Sequence, residues 1–291
     1  MALILRLETS STIPIEVESI RPDLLSGQTA DDIAGICVQQ GNVKVPLAEL
    51  FDVSGSLTED STIEWHGECS TVRGIGLGMT SGTIRIAGNA GMHTGAGMRG
   101  GRILCEGSTG DWLGCEMQGG SIVVDGSAGN CVGGTYRGGQ RGMTGGEILI
   151  RGNAGHEIGR NMRRGIIAIG GSCGDGAGFG MIAGTIVLNG IVGRHTGAGM
   201  KRGTIVCLGT ETEFELLPTF RYSGRISPEF FRVLRKQMQP HCSFLSESPV
   251  DVTFDRYVGD AIEQGQGEIV LRRKSADSAS CGLEILSVSH A

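Results

Sequence analysis

The chain has 291 residues and a net charge of −6 at pH 7. This acidic balance argues against a nucleic-acid-binding protein, because neutralising phosphates requires a basic surface. The sequence has no run of 18 apolar residues and no charged-then-apolar leader, so we expect a soluble, unexported, cytoplasmic protein without a membrane partner.

Residues 1–60 are predicted to form a small α+β cap. Leu3 to Leu7 alternates between apolar and other residues, which indicates a strand. Thr29 has the side chain of a helix N-cap and precedes a short helix. Residues 36–40 and 43–47 are strand-like and flank a Gly41-Asn42 turn, which indicates a hairpin.

One pattern recurs between Gly82 and Cys207: a glycine, an isoleucine two residues later, then further glycines at fixed offsets and a methionine. The isoleucines follow one another at intervals of 19, 19, 26, 19, 19 and 19 residues, and they are Ile84, Ile103, Ile122, Ile148, Ile167, Ile186 and Ile205. The single long interval indicates an insertion of 26 − 19 = 7 residues at about residues 134–140. Such a period is typical of a solenoid, in which each repeat buries its apolar face on its neighbours.

Each repeat begins with a short alternating strand, such as the one that contains Ile84 and Ile86. Stacking in register would place these side chains in an inner column, while the residue between them (Arg85, Leu104, Val123 and Leu149 in the first, second, third and fourth repeats) would face outward. We therefore predict an all-β fold: a right-handed parallel β-helix over residues 61–210, with about 19 residues per coil and small α+β caps at both ends. Collagen, hexapeptide and calcium-binding nonapeptide repeats fit the spacing less well.

The repeat pattern stops after Gly209, and residues 211–273 are predicted to be a C-terminal cap. Ser227-Pro228-Glu229 has the composition of a helix start, and the helix should reach about Met238. Residues 250–254 and 267–272 are strand-like. Residues 274–291 lack a pattern and are predicted to be a disordered tail.

The spacing of the chemically active residues argues against a catalytic or metal site on this chain. His93 and His195 share a coil position but lie five coils apart, which is about 24 Å at about 4.8 Å per coil. His156 sits one position earlier on another coil. We therefore assign no catalytic residue, no metal ligand and no cofactor bound by this chain alone. Cys105, Cys173 and Cys207 are interpreted as small buried hydrophobic residues in a reducing compartment.

Two surface features remain as candidate binding sites. The first is the basic edge, a set of cations that follow the repeat methionines: Arg99, Arg163, Arg164, Lys201 and Arg202. It is either an ordinary solvated edge or subunit contact, or a track for a polyanionic tail, because Arg and Lys recognise carboxylates. The second is the insertion loop (residues 134–140) with Arg141, which we interpret as a partner contact made by Tyr136, Arg137 and Arg141; substrate contact is the alternative.

The repeats, with Gly-Asn-Ala-Gly at residues 88–91 and 152–155, resemble the GXGXG domain of the glutamate synthase large subunit. Over residues 1–272 the chain is more similar to the formylmethanofuran dehydrogenase C-subunit family, and within it to the bacterial formyltransferase/hydrolase branch. The motifs that carry the resemblance are residues 21–23 (Arg-Pro-Asp), 51–55 (Phe-Asp-Val-Ser-Gly), 136–138, 141–146, 215–220 (Glu-Leu-Leu-Pro-Thr-Phe) and 256–269.

This resemblance implies a scaffold subunit without catalytic residues in a complex of tetrahydromethanopterin-linked one-carbon metabolism, which converts formaldehyde to formate. The implied partners are the other subunits of such a complex: one amidohydrolase-like, one molybdopterin-enzyme-like and one formyltransferase. A methanofuran-type carrier would act in the complex, and the basic edge would guide its polyglutamyl tail.

Three alternatives remain open at this point. The chain could be the C subunit of a true molybdenum or tungsten formylmethanofuran dehydrogenase, or a glutamate-synthase-like structural domain. A stand-alone β-helix enzyme acting on polysaccharide is disfavoured, because only 4% of the residues are aromatic and no row of carboxylates or aromatics is visible.

Overall fold

The computed structural model describes residues 2–8, 12–57, 61–209, 215–227, 229–238 and 253–273. This part of the chain is mostly β and contains a mixed sheet of 13 strands and a second sheet of four strands. None of the helices in it has the length and apolar character needed to cross a bilayer. The predicted disordered tail, residues 274–291, lies outside the described residues.

The N-terminal segment contains the predicted strand, helix and hairpin. Its elements are β1 (Leu3–Leu7), β2 (Ile15–Glu16), α1 (Pro22–Leu25), α2 (Ala30–Ala34), β3 (Cys37–Gln40), β4 (Val43–Pro46), a 3₁₀ helix (Leu47–Glu49) and β5 (Phe51–Gly55). Thr29 caps α2 as predicted: its hydroxyl accepts a hydrogen bond from the Asp32 N–H, and the Asp32 carboxylate accepts one from the Thr29 N–H. This reciprocal pair satisfies two backbone donors at the helix start.

The repeats stack in register through parallel strands. These are β6 (Thr62–His66), β8 (Thr83–Ala87), β9 (Arg102–Cys105), β10 (Ser121–Val124), β11 (Glu147–Ile150), β12 (Ile166–Ile169), β13 (Thr185–Leu188) and β14 (Arg202–Cys207). The short strand β7 (Val72–Arg73) pairs instead with β2 in the four-stranded sheet. Strand β6 pairs with β8, and from β8 to β14 each strand pairs with the next one in the chain. At every step an isoleucine of one strand lies opposite an isoleucine of the next. A second line of parallel bridges runs from Cys69 to Val192, also one repeat apart. The predicted stacking of repeats is confirmed.

The inner column is the main hydrophobic core. All seven repeat isoleucines are at most 1% exposed, and the repeat methionines, such as Met98 and Met162, are fully buried beside them. Burying one such side chain contributes about 1.5–3 kcal/mol. The column of isoleucines is therefore the main source of stability for the stack.

The outer face of the sheet differs from the prediction. Arg85 is exposed and Leu104 is half-buried, but Val123 is only 8% and Leu149 only 3% exposed. These middle residues lie outside the inner column as predicted, but from β10 onward they are buried rather than on the surface. They belong to a second apolar cluster that also contains Phe231 and other C-terminal side chains, so tertiary packing covers a face that the repeat pattern leaves open.

The C-terminal segment continues the main sheet. Its elements are β15 (Arg221–Ile226), α3 (Glu229–Met238), β16 (Phe254–Gly259) and β17 (Gln266–Arg272). Strand β17 pairs parallel with β14 and places Ile269 opposite Ile205, and β16 and β15 then add antiparallel. The predicted helix is present, whereas Pro228 and residues 250–252 lie outside the described residues. At the opposite end β1 pairs parallel with β6 and β5 pairs antiparallel with β1.

One glycine column is required by both backbone conformation and packing. Gly114 has φ +57°, and a Cβ placed on it would lie 2.5 Å from Cδ1 of Ile148 in the inner column. Gly97 has a similar φ of +62°, but its Cβ would meet nothing within 4 Å. The two glycines therefore separate the cost of the backbone conformation from the cost of overpacking.

We predict that Gly97→Ala lowers the free energy of unfolding by about 1 kcal/mol, because only the left-handed backbone is penalised. Gly114→Ala should cost about 1–3 kcal/mol more, because the added methyl group overpacks the isoleucine column. Urea denaturation of both variants, followed by far-UV circular dichroism, measures the difference. Equal midpoints would contradict the packing of Gly114 against Ile148.

Candidate functional site

The basic edge forms a line along the stack of repeats. The backbone N–H of Arg99, Arg163 and Lys201 each donates to the carbonyl oxygen of the methionine one repeat earlier, at 2.7–2.8 Å. This ladder fixes Arg99 and Arg163 three repeats apart, at about 14 Å, and Lys201 two repeats further. The positions between them hold Gln118, Thr144 and Ile182, so the line is cationic only at intervals.

The C-terminal end of the basic edge already has partners within the chain. Lys201 Nζ lies 3.6 Å from the Glu263 carboxylate, and Arg202 Nε donates to Gln266 Oε1 at 2.8 Å. By contrast, Arg163 Nε is buried and has no hydrogen-bond partner among the described residues. Arg164 and Arg99 are exposed. The charge available to a ligand therefore lies at Arg99, Arg163 and Arg164, and the last two are adjacent in the chain.

The insertion loop folds back onto the repeats at its first residues. Thr135 Oγ1 donates to Glu116 Oε1 at 3.1 Å, and the Tyr136 N–H donates to the same oxygen at 3.3 Å. The Tyr136 side chain is half-buried, and its hydroxyl lies 3.0 Å from His93 Nδ1. Arg137 and Arg141 are exposed. Of the three residues predicted to contact a partner, Tyr136 thus has an anchoring role within the chain.

An aromatic cluster holds this loop in place. The rings of His93 and Trp112 stack at 5.2 Å with an interplanar angle of 8°, and Tyr136 lies tilted against both. Burial, together with the neighbouring Cys115, raises the pKa of Tyr136 above its ordinary value, so the phenol stays protonated. Aromatic contacts of this kind contribute about 0.5–1.5 kcal/mol each beyond the buried area.

His93 and Trp112 belong to a column of residues with left-handed backbone, which we call the left-handed row. Its members have φ between +57° and +77°, and they are Gly74, His93, Trp112, Cys131, Glu157, Gly176 and His195. From Gly74 to Gly176 each N–H donates to a carbonyl oxygen in the next repeat, at 2.8–3.0 Å. This conformation is rare for residues other than glycine. Five of the seven members of the row nevertheless carry a side chain.

Two cavities lie on either side of the loop anchor. One of about 200 Å³ is lined by Glu16, Glu18, Arg73, His93 and Tyr136. The other, of about 350 Å³, is lined mainly by Trp112, Cys131, Arg137, His156, Glu157 and Arg160. Both cavities are therefore bordered by the left-handed row and by residues of the insertion loop.

Several polar side chains in the repeats have a structural role. Asp111 Oδ1 accepts the Asn130 N–H, Asn130 Oδ1 accepts the His156 N–H, and His156 Nδ1 accepts the Asp175 N–H, at 2.7–2.9 Å. Because Nδ1 of His156 accepts, the ring carries its hydrogen on Nε2. These contacts tie each repeat to the next.

The chemically active residues are dispersed along the repeats. In the part of the chain that the structure describes, no group of three or more His, Cys, Asp or Glu could hold a metal ion. The seven described cysteines are all free thiols, and Cys105, Cys173 and Cys207 are buried. Burial raises the pKa of both the Cys105 and the Cys173 thiol to about 11, so these residues remain neutral hydrophobic groups.

The left-handed row was not predicted from the sequence. The shared coil position of His93 and His195 is visible there, and the same column holds Trp112 one repeat after His93 and Cys131 one repeat further. The contact of Tyr136 with His93 spans 43 positions and depends on how the insertion folds, so the repeat period carries no signal for it.

Comparison with known proteins identifies relatives. No family model matches the chain. A stretch of 95 residues, 33% of this chain, is 43% identical to the C subunit of the molybdenum-containing formylmethanofuran dehydrogenase 1 of Methanothermobacter marburgensis. A stretch of 93 residues is 36% identical to the C subunit of the tungsten-containing formylmethanofuran dehydrogenase 2 of Methanococcus maripaludis. These matches span only 24% and 34% of those relatives' lengths.

The likeness to a solved structure extends over nearly the whole fold. The formyltransferase/hydrolase complex (FhcABCD) of Methylorubrum extorquens, crystallised in complex with methylofuran, contains a chain that superimposes with a TM-score of 0.84. The two chains are 30% identical, and the match covers 93% of this chain and 100% of that one. The chain belongs to the formylmethanofuran dehydrogenase C-subunit family. The resemblance deduced from the motifs is thereby confirmed, and the chain is similar in structure to a chain of a multi-subunit complex.

The histidine in the aromatic cluster of this family member should make stability depend on pH. Burial, assisted by Arg73, lowers the pKa of His93, while Glu16, Glu18 and Asp111 oppose the shift. Because the folded state then binds fewer protons than the unfolded state, stability should fall as the pH drops from about 6.5 toward the lowered folded pKa.

We expect His93→Asn to reduce this pH dependence, since asparagine tolerates the left-handed backbone and does not titrate. Thermal denaturation midpoints between pH 8 and pH 5 measure it, with His195→Asn in the same row as the control for the substitution. If His93→Asn and the control gave the same slope, burial of a neutral His93 would be ruled out as the cause.

Proposed function

We propose that the chain is the non-catalytic scaffold subunit of a multi-subunit formyltransferase/hydrolase complex in tetrahydromethanopterin-linked one-carbon metabolism, which oxidises formaldehyde to formate. The likeness to the chain from the Methylorubrum extorquens complex supports this most, because it covers 93% of this chain. In this proposal the partners are an amidohydrolase-like, a molybdopterin-enzyme-like and a formyltransferase polypeptide.

The proposed architecture is a right-handed parallel β-helix. The strand ladder, the second line of bridges and the left-handed row each connect one repeat to the next. Three lines of contact between successive coils are what a β-helix requires, and they support the proposal. Right-handed is the usual hand of parallel crossover connections. A rod of this kind suits a scaffold, because its rigidity comes from contacts made at every coil.

The use of the polar side chains also supports a scaffold role. Asp111, His156 and Asp175 are residue types that often act in catalysis, yet each accepts a backbone N–H from the next coil. A side chain that accepts such a hydrogen bond is restricted in its geometry. The seven cysteines in the described part of the chain are all free thiols, which is in keeping with a reducing, cytoplasmic location.

A second candidate function is that of the C subunit in a molybdenum or tungsten formylmethanofuran dehydrogenase. The identity of 43% to the C subunit from Methanothermobacter marburgensis favours this second function, but only over a stretch of 95 residues. The formyltransferase/hydrolase assignment is preferred because its supporting match includes the terminal segments as well as the repeats.

Native co-purification of the tagged full-length chain tests both candidates. We expect an amidohydrolase-like chain and a formyltransferase among the proteins identified by mass spectrometry, and formyl transfer only in the assembled fraction. A molybdopterin or tungstopterin subunit with carbon dioxide reduction would favour the second candidate. A chain that purifies alone and is active by itself would contradict the scaffold role.

We further propose that the basic edge guides the polyglutamyl tail of a methanofuran-type carrier, as an electrostatic track. The relevant structural support is the state of its cations: Arg163 Nε is buried without a partner among the described residues, and Arg164 and Arg99 are exposed. Lys201 and Arg202 already contact Glu263 and Gln266, so we expect them to contribute less.

The double variant Arg163→Glu/Arg164→Glu should weaken binding of a fluorescent oligoglutamate by about tenfold, because two attractive contacts become repulsive. Fluorescence anisotropy at several salt concentrations measures the affinity. Arg85→Glu/Arg151→Glu, which makes the same charge change at exposed positions outside the basic edge, is the matched control. An unchanged affinity and salt dependence in the first variant would refute the track.

A further inference from the structure

The left-handed row contains large side chains where glycine would be less costly. A left-handed backbone costs an L-residue about 1–2 kcal/mol relative to the right-handed region, and glycine avoids this cost. Gly74 and Gly176 occupy the row at two other repeats, so the fold accepts glycine there. Strained positions that carry bulky side chains are often found at binding sites. Trp112 is the largest side chain in the row.

The stack of rings in this row stops after Trp112. His93 covers the ring on the side of the preceding repeat, at a centroid distance of 5.2 Å. The next member of the row is Cys131, whose side chain is too small to continue the stack. A cavity of about 350 Å³ borders Trp112 and Cys131 at this point. The row therefore leaves a layer, one repeat thick, where a ring can lie against the indole face opposite His93, with Tyr136 tilted against the same indole at a centroid distance of 6.3 Å.

The hydrogen-bonding groups around this cavity favour a ligand that accepts hydrogen bonds. The acidic groups are partly engaged: Glu157 Oε2 accepts from Arg160 at 2.6 Å, and Asp111 Oδ1 accepts from the Asn130 N–H. Two donors remain. No described residue forms an ion pair with Arg137, and His156 carries its hydrogen on Nε2 because its Nδ1 is an acceptor.

We propose that this cavity binds a planar aromatic ring that bears a carboxylate. The ring stacks on Trp112 in the layer left open by Cys131, and the carboxylate faces Arg137 of the insertion loop. Arg pairs well with carboxylates, and cavities of about 300–1,000 Å³ suit small ligands. The site is distinct from the basic edge and does not depend on the assignment to a one-carbon complex.

Isothermal titration of the full-length chain with 2-naphthoate tests the site. We expect saturable one-to-one binding, and weaker binding of 2-naphthamide, which lacks the charge, and of cyclohexanecarboxylate, which lacks the ring. Trp112→Gly should lower the affinity for 2-naphthoate at least about fivefold, because the stacking contact is lost. Arg137→Gln should lower both the affinity and its dependence on salt.

The matched control is His195→Gly, which replaces another residue of the same row with a φ of +59° outside the cavity. It should leave the affinity unchanged. Should Trp112→Gly fail to fold, Cys131→His fills the open layer with a side chain that the row holds elsewhere, and it should block binding.

Two results would overturn the proposal. One is the absence of saturable 2-naphthoate binding to the wild-type chain at millimolar concentration. The other is an affinity that neither Trp112→Gly nor Cys131→His changes. If the probe failed to bind while Trp112→Gly released a co-purifying protein, the cavity would instead hold an aromatic side chain of that partner.

Discussion

In-register stacking of repeats governs the arrangement of both the core and the surface. Apart from β7, each strand from β6 to β14 pairs with the strand one repeat away, so a residue type that recurs at one position forms a continuous column. The isoleucine column supplies the core, and a glycine column leaves the space that its side chains need. A shift of one residue would turn these columns to the opposite face, which makes the register strongly determined.

The same constraint determines how chemistry is distributed over the molecule. Residues at one column position lie about 4.8 Å apart per repeat, so two groups interact only when they are in the same or adjacent repeats. His93 and Trp112 meet this condition and stack, whereas His93 and His195 do not. A row of side chains can thus act as a ladder of backbone acceptors, a line of charges or a stack of rings, depending on which residues fill it.

The segments that depart from the repeat form the cavities and the covered faces of the molecule. The insertion loop is attached through Glu116 and His93, and two cavities border its anchor. At the C-terminal end, β17 extends the parallel sheet and α3 contributes to the cover over its outer face. The N-terminal strand β1 extends the sheet at the other end. The predicted boundaries at residues 60 and 210 remain predictions, and strands of the main sheet lie on both sides of each.

The repeat length, the inner column, the insertion and the family could be deduced from the amino-acid sequence, because a strict period and specific motifs are local properties of the chain. The sequence also predicted the helix capped by Thr29 and the helix that begins near Glu229. The folded chain was needed to reveal that Val123 and Leu149 are buried, that Tyr136 contacts His93, and that Lys201 is paired with Glu263. These contacts involve segments outside the period, and whether such segments meet depends on the folded path of the chain.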